Sequence, residues 1–550
     1  MTTPVNIKYN SIYDLYDSYN FEDIEYALVK KYINQKQLDI SKSTVISQYL
    51  QLGKKSTIHI NLDSYFLLTI KDLEKYFELL ISNEDRKEHG AFFTPEYVIK
   101  TMIREVKPKE NDINLDPSCG CGAFLLGLVD YYMNTFNKSI KSIVKENICG
   151  IDIQQRNIDR SKILLSLLAL ENNELLSDED FNLKCKNSLL CEWNNIFNNI
   201  KSFDNIIGNP PYGNNETIYL DNYLSFMMKS TKYLKSNSSI LSFIIPISWI
   251  SSTKKNIQLF RNDFFNSIYL NRLIVLPFGI FEDAYVDNSI MIASKQKANK
   301  YEVYVYDKSI KLKDIKINKY NMLSRNNMLS NPLKINSLLE DVKDNLDKSK
   351  VIYLNKDICN SSIGILKSKY IFVDKKEEDY HLPYFEGSLY RYDNNLEFKG
   401  YIVDFNNRLL NNKSFIDENR LLVRRIVNRK NRIMCALSDD KYIVKKDLYS
   451  FVVPSKINKN YLLAIMNSKL ISYMILSQNP IATKNDFRQI SLNDLRTIPV
   501  LNSNCKISKQ IIKLATNYNA SCDKKLDSLI YELYGVPKET IKQIEIFIKD

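Results

Sequence analysis

The stretch Asp204-Asn205-Ile206-Ile207-Gly208-Asn209-Pro210-Pro211-Tyr212 decides how this chain is read. An apolar run ends at a glycine, then meets an asparagine, two prolines and an aromatic. A run of strand-forming residues bounded by Gly and Pro reads as a buried strand that stops abruptly. Neither proline can donate to a ladder, and both hold φ nearly fixed. Asn209 and Tyr212 are therefore presented from a stiff turn at the carboxyl end of a strand. That is where open α/β sheets bind ligands.

The groups so presented suit an aromatic amine. The carboxamide oxygen of Asn209 and the backbone carbonyl of Pro210 can each accept one N–H of an exocyclic amino group. Two acceptors hold the nitrogen lone pair toward an incoming electrophile. Tyr212 offers a face on which a base can stack. For the tripeptide alone the plain alternative is a Pro-rich turn with a self-capping Asn. The apolar lead-in, the terminal Tyr and the rest of the chain argue against it.

Upstream lies Ile113-Asn114-Leu115-Asp116-Pro117-Ser118-Cys119-Gly120-Cys121-Gly122-Ala123-Phe124-Leu125. A short strand enters a Gly-x-Gly turn and then an apolar helix, so the backbone can approach a ligand at the top of a sheet. A phosphate loop would want a third Gly or a following Lys-Ser/Thr, and neither is present. Asp116 repels phosphate but suits an ammonium. The ligand implied is a nucleoside with a cationic tail and no phosphate, as in S-adenosylmethionine. Cys149-Gly150-Ile151-Asp152-Ile153 reads as a second strand whose terminal acid can accept from both ribose hydroxyls. Further strands are expected at 182–185, followed by Asn187, at 240–247, at 273–276 and at 289–293. Together they make a doubly wound α/β sheet. Phe278-Gly279-Ile280-Phe281-Glu282-Asp283 forms a hairpin tip between the last two. Ahead of the sheet, Thr94 is expected as an N-cap, with Pro95 at the first helical position and Glu96 in the first turn.

Composition bounds the answer. The 550 residues suffice for two large or three ordinary domains. A net charge of +12 favours a polyanionic partner. Nine scattered cysteines read as reduced, placing the chain in the cytoplasm. Three distant histidines disfavour a His-based metal site or a Ser-His-Asp triad, so no metal is expected. The start, Met1-Thr2-Thr3-Pro4, has no signal-peptide pattern, and the apolar run 240–250 is too short to span a bilayer. Of only 13 glycines, Gly120, Gly122, Gly127, Gly150, Gly208 and Gly213 fall in one region, which marks that region for close backbone approach.

The order Phe-Thr-Pro, Asp-Pro-x-Cys-Gly-x-Gly-x-Phe, Gly-Ile-Asp and Asn-Pro-Pro-Tyr resembles the gamma-class amino methyltransferases of DNA. The TaqI-type adenine-N6 enzymes of restriction–modification systems are most similar. The resemblance implies a Rossmann-like class I methyltransferase sheet over residues 86–300, and ahead of it the apolar residues at helical spacing in 21–29 and 70–77 predict an N-terminal helical region at 1–85. A connecting segment at 301–349 and an α+β target-recognition domain at 350–550 would follow. It implies S-adenosylmethionine held by Phe93, Thr94, Pro95, Asp116, Pro117, Gly120, Gly122, Asp152 and Asn187. It also implies an extruded adenine held by Asn209, Pro210 and Pro211, stacked on Tyr212, with Phe281 on its other face. Where the family usually has Asp after the third strand, this chain has Asn187. An Asn still accepts through one oxygen, so weaker cofactor binding is expected.

In the C-terminal half Arg420, Arg424, Arg425, Arg429, Lys430 and Arg432 crowd one segment, which can line a phosphate track on double-stranded DNA. The resemblance adds a separate restriction endonuclease as a further partner and no membrane. A DNA-binding specificity component with weakened catalysis remains the alternative, as does a protein glutamine methyltransferase.

Overall fold

The computed structural model describes residues 18–52, 69–80, 94–213, 221–252, 255–276, 288–305, 321–324, 350–355, 357–477, 488–501 and 504–548, plus isolated positions at 12, 15, 16, 60–62, 65, 67, 219 and 346. The chain divides into two compact units, Met1–Pro332 and Leu333–Asp550. Among the described residues no helix is long and apolar enough to cross a membrane.

The first unit is built on a nine-stranded sheet. Its strands are β1 (Asn114–Asp116), β2 (Ile148–Asp152), β3 (Leu183–Cys185), β4 (Asn205–Gly208), β5 (Ile240–Pro246), β6 (Tyr269–Val275), β7 (Asn288–Ser294), β8 (Lys300–Val305) and β9 (Asn321–Ser324). They run in the order β3-β2-β1-β4-β5-β7-β6-β8-β9. The pairs from β3 through to β5 are all parallel, and β7 is antiparallel to β5 and to β6. The central strands are buried along their length, which is why they read as continuous apolar runs and not as alternating ones. Strand order turns back between β1 and β4, the switch point at which such sheets open a crevice.

Helices cover the sheet: α1 (Phe21–Lys36), α2 (Thr44–Leu52), α3 (Ile70–Leu79), α4 (Glu96–Val106), α5 (Ala123–Phe136), α6 (Ile140–Glu146), α7 (Gln155–Glu171), α8 (Asn222–Tyr233) and α9 (Lys255–Ser267). Two expected boundaries move. Helices α1–α3 are not a separate lobe, because Leu28, Tyr32 and Phe77 share one core with Ile99, Leu128 and Leu164. The junction is locked by Glu25 of α1, which accepts from Arg160 of α7 at 2.7 Å and from Arg156 at 3.0 Å. At the other end the sheet does not stop at 300, since β8 and β9 extend it into the segment expected as a connector.

The second unit mixes strands and helices, as expected. β11 (Ser361–Ile363), β18 (Leu448–Val452), β15 (Arg420–Arg424) and β16 (Cys435–Ser438) form one sheet, numbered in chain order with β10 (Val351–Tyr353) and β19 (Pro499–Leu501) as a separate pair. A second sheet joins β12 (Phe372–Val373), β14 (Asp393–Val403), β13 (His381–Tyr390) and β17 (Ile443–Val444). Helices α10 (Lys459–Asn467) and α11 (Lys469–Leu476) are buried among them, with α12 (Lys506–Thr516), α13 (Asp523–Leu533) and α14 (Lys538–Phe547) outside.

Candidate active site at the carboxyl edge of the sheet

The polar lead-in to the organising stretch sets the register of β1 against β4. Asp204 accepts the Ile113 N–H at 3.0 Å, and Asn205 Nδ2 donates to Asp112 and to Asn114 Oδ1, both at 3.0 Å. Asn114 Nδ2 in turn donates to the Asn147 carbonyl at 2.9 Å, just ahead of β2. These bonds fix the amino ends of three strands, so their carboxyl ends finish in step.

At that carboxyl edge the two turns meet. A Cβ added to Gly208 would stand 2.6 Å from Asp116 Oδ1. The Ser118 hydroxyl reaches the Asn209 carbonyl at 3.4 Å. The glycine turn after β1 and the proline turn after β4 therefore lie side by side at one edge of the sheet.

Asp116 is 1% exposed, and its carboxylate accepts the Ser118 N–H at 3.0 Å. Burial pushes its pKa up to about 8 despite that hydrogen bond, and the charge of Asp152 adds to the rise. Asp152 is held by the N–H groups of Gly120 at 3.0 Å and Gln154 at 2.9 Å, and by Asn157 Nδ2 at 3.0 Å. The turn between them is left-handed at Gly120 (φ 53°) and Gly122 (φ 95°). A side chain at Gly122 would meet Ser161 Oγ of α7 at 2.9 Å, so only glycine fits. Above Gly120 there is open space, with no atom within 4 Å of an added Cβ. Next door, Ser188 donates to the Pro117 carbonyl at 2.6 Å, and Asn187 is exposed with its Oδ1 accepting the Leu189 N–H at 3.0 Å. Ile153 and Leu190, on the turns after β2 and β3, are 53% and 81% exposed.

This donor set fits a nucleoside with a cationic tail. Asp116 is a buried acid whose surroundings, among the described residues, supply no cation. Asp152, half-buried beside Gly120, adds a second carboxylate of the kind that accepts from ribose hydroxyls.

On the β4 side, Pro210 is buried and Pro211 half-buried. Asn209 Nδ2 donates to Thr94 Oγ1 at 3.1 Å. Thr94 was expected to cap α4 and does not. Pro95 adopts ψ 139° and takes the capping position itself, with no side-chain hydrogen bond, so the helix starts at Glu96. The hydroxyl of Thr94, 5% exposed, serves Asn209 instead. Tyr212 donates its hydroxyl to Asn288 Oδ1 at 2.9 Å and meets the edge of Tyr223 at 6.1 Å between centroids. Burial drives its phenol well above the usual range, so it stays protonated. Phe93, Phe278 and Phe281 lie outside the described residues.

The basic segment of the second unit divides. Arg420 does not belong to a phosphate track: it is fully buried, its guanidinium donates to the carbonyls of Tyr442 at 3.0 Å and Asp440 at 2.7 Å, and it stacks over the Tyr442 ring. Arg432 is excluded too, being 6% exposed, bonded to the Asn467 carbonyl at 2.8 Å and paired with Asp527 at 3.4 Å. Arg429 and Lys430 are exposed, and Arg424 and Arg425 half-buried.

Sequence reasoning missed Asn288, Ser118 and Ser161. Each is an ordinary polar residue whose partner is distant in the chain, and nothing in local spacing marks it.

Comparison with known proteins agrees with this geometry. The family described as N-6 DNA Methylase matches residues 70–379, and the TaqI-like C-terminal specificity domain matches residues 308–500. A protein of Methanocaldococcus jannaschii, provisionally assigned as a type II restriction enzyme and methyltransferase, is 36% identical over 62% of this chain and 32% of its own length. A type II restriction enzyme and methyltransferase of Heyndrickxia coagulans is 23% identical over 52% of this chain and 43% of its own. The chain thus spans less than half the length of these relatives. The structure of the type IIL restriction-modification enzyme MmeI in complex with DNA matches with a TM-score of 0.58 at 14% identity, covering 88% of this chain and 81% of that one. At that identity the likeness is one of fold. With more than half of its length inside the family match, the chain belongs to the N-6 DNA Methylase family.

Proposed function

We propose that the protein is a site-specific DNA methyltransferase that moves a methyl group from S-adenosylmethionine to the exocyclic amino group of an adenine extruded from duplex DNA. The observation that carries this is the meeting of the Asp116 turn and the Asn209 turn at one sheet edge, with Gly208 against the Asp116 carboxylate. One side offers acids to a cationic nucleoside, and the other offers acceptors and a ring to a base.

The cofactor, when bound, supplies a methyl group already activated by the sulfonium charge. Asp116 faces the positive tail, and Asp152 receives the ribose hydroxyls. Asn209, oriented through Thr94, presents its carboxamide oxygen to the target amine, with the Pro210 carbonyl as second acceptor. These two acceptors stabilise charge as it develops on nitrogen, and the rest of the rate comes from alignment. Tyr212 stacks on the extruded base, whose displacement from the duplex costs a few kcal/mol. In the second unit, Arg424, Arg425, Arg429 and Lys430 contact phosphates, and the chain serves in a restriction–modification system alongside a nuclease activity.

Incubating the protein with DNA and labelled cofactor, then identifying the product base by mass, tests the assignment. N6-methyladenine supports it, and methylcytosine or a methylated protein contradicts it. A specificity component with weakened catalysis is the second reading. It is favoured by Asn187, whose single side-chain oxygen already accepts the Leu189 N–H. Cofactor binding to the purified protein separates the two.

A further inference from the structure

We propose that Asn288 is a positioning residue for base stacking, its side-chain amide fixing the plane in which Tyr212 presents its ring. This rests on the reading above, in which Tyr212 carries the extruded base.

Stacking uses the face of a ring and makes no use of a phenolic hydroxyl. The Tyr212 hydroxyl instead points into the protein and donates to Asn288 Oδ1 at 2.9 Å. The acceptor stands on a rigid support. Asn288 is 2% exposed and begins β7, opposite Pro246 of β5. Its own carbonyl accepts the Leu276 N–H at 3.0 Å. The sheet, not a loop, therefore carries the anchor. At the other end the ring leaves a turn stiffened by Pro210 and Pro211 but released at Gly213, which has φ 121°. The Tyr223 ring makes a T-shaped contact with Tyr212, with 6.1 Å between centroids and 74° between the planes.

A hydrogen bond at the far end of the ring adds a second restraint. The phenolic O–H prefers the plane of the ring, because the oxygen lone pair conjugates with it, so a bond directed at Asn288 Oδ1 disfavours ring planes that turn the O–H away from that oxygen. The arrangement mirrors the one at Asn209, whose carboxamide is oriented by Thr94 from the opposite flank. Each of the two base-contacting side chains of the turn is thus held by a buried polar residue from another element. Tyrosine is required at 212 for the anchor, while the stacking itself would be served by any aromatic.

The test is a double-mutant cycle on methyl transfer by the full chain. Tyr212→Phe keeps the ring and removes the donor, and Asn288→Ala removes the acceptor. Each alone is expected to lower kcat by about tenfold, with DNA affinity unchanged, and the double variant is expected to be no slower than either. Asn288→Asp, which keeps an acceptor of the same shape, should recover most of the rate. If Asn288→Ala does not fold, Asn288→Ser replaces it in the cycle, since its hydroxyl cannot reach the phenol. Effects that multiply in the double variant, or a Tyr212→Phe protein as fast as wild type, would overturn the proposal while leaving the methyltransferase reading intact. A wild-type chain that methylates no DNA would overturn both.

Discussion

The Cβ position of Gly208 stands 2.6 Å from Oδ1 of Asp116, nearer than any side-chain carbon can sit. The contact joins the last residue of β4 to the last residue of β1, across the point where the strand order turns back. It is what brings an acid meant for a cation beside an amide meant for an amine. Both sides depend on one glycine having no side chain.

Gly208→Ala therefore tests the junction. A methyl group here must push aside a buried carboxylate held by the Ser118 N–H, or shift β4. Overpacking of this kind costs about 1–3 kcal/mol. Thermal unfolding should show the loss, and calorimetric titration should show weakened S-adenosylmethionine binding. A variant with wild-type affinity would mean that the two turns do not share their ligand.

The protonation of Asp116 gives a pH signature. Its pKa rises from 3.8 to about 8 in the fold, chiefly through burial, so the native protein holds a proton that the unfolded chain releases. Its contribution to stability is most favourable at low pH and worsens as pH climbs from about 4 to about 8. A bound cation favours the ionised carboxylate. Affinity for S-adenosylmethionine should therefore strengthen with rising pH and level off near pH 8. Asp116→Asn should bind weakly and without that slope. A flat profile in the wild type would remove Asp116 from the cationic end of the ligand.

Thr94 should matter through its hydroxyl and not through its bulk. Thr94→Val keeps the shape but leaves Asn209 Nδ2 without this acceptor, and kcat should fall by about tenfold. Thr94→Ser should stay near wild type, and DNA affinity should not change in either. Equal kinetics for the valine and serine variants would show that Asn209 needs no such support.

The arginines of the second unit should separate into two behaviours. Arg429→Ala with Lys430→Ala should weaken DNA binding and make the slope of log affinity against log salt shallower by about 2. Arg424→Ala with Arg425→Ala should act in the same direction. Arg432→Ala removes the guanidinium paired with the buried carboxylate of Asp527, which among the described residues keeps only the Lys469 N–H as a hydrogen-bond donor, a loss of about 1–3 kcal/mol in unfolding with no change in salt slope per folded molecule. Salt titrations of DNA binding, run beside denaturation curves, distinguish the classes. A changed slope for Arg432→Ala would restore it to the phosphate track.

Much of this was legible in the chain. The strand-turn pattern at Leu115–Gly122 and at Ile206–Tyr212 marked two strand ends and the turns that follow them, because glycine and proline act locally, while the strand order that makes a switch point between them was not legible. Side-chain fate was harder. Thr94-Pro95-Glu96 carries every local mark of a capped helix start, yet the threonine was taken by Asn209, distant in sequence. Arg420 and Arg424 are indistinguishable on paper, but the carbonyls of Tyr442 and Asp440 draw one inward. The buried apolar faces of α1 and α3 carry no mark of their partners, which lie further along the chain in one core with α4, α5 and α7. Asn288 carries no signal at all, being one polar residue at the head of an apolar strand.

The central claim is that the Asn209 carboxamide holds the amine that receives the methyl group. Its most direct test is mass analysis of DNA exposed to S-adenosylmethionine and either the wild-type protein or Asn209→Ala, with DNA affinity measured in parallel. The account predicts N6-methyladenine from the wild type, none from Asn209→Ala, and equal affinity for DNA. An Asn209→Ala protein that methylates DNA at the wild-type rate would contradict it.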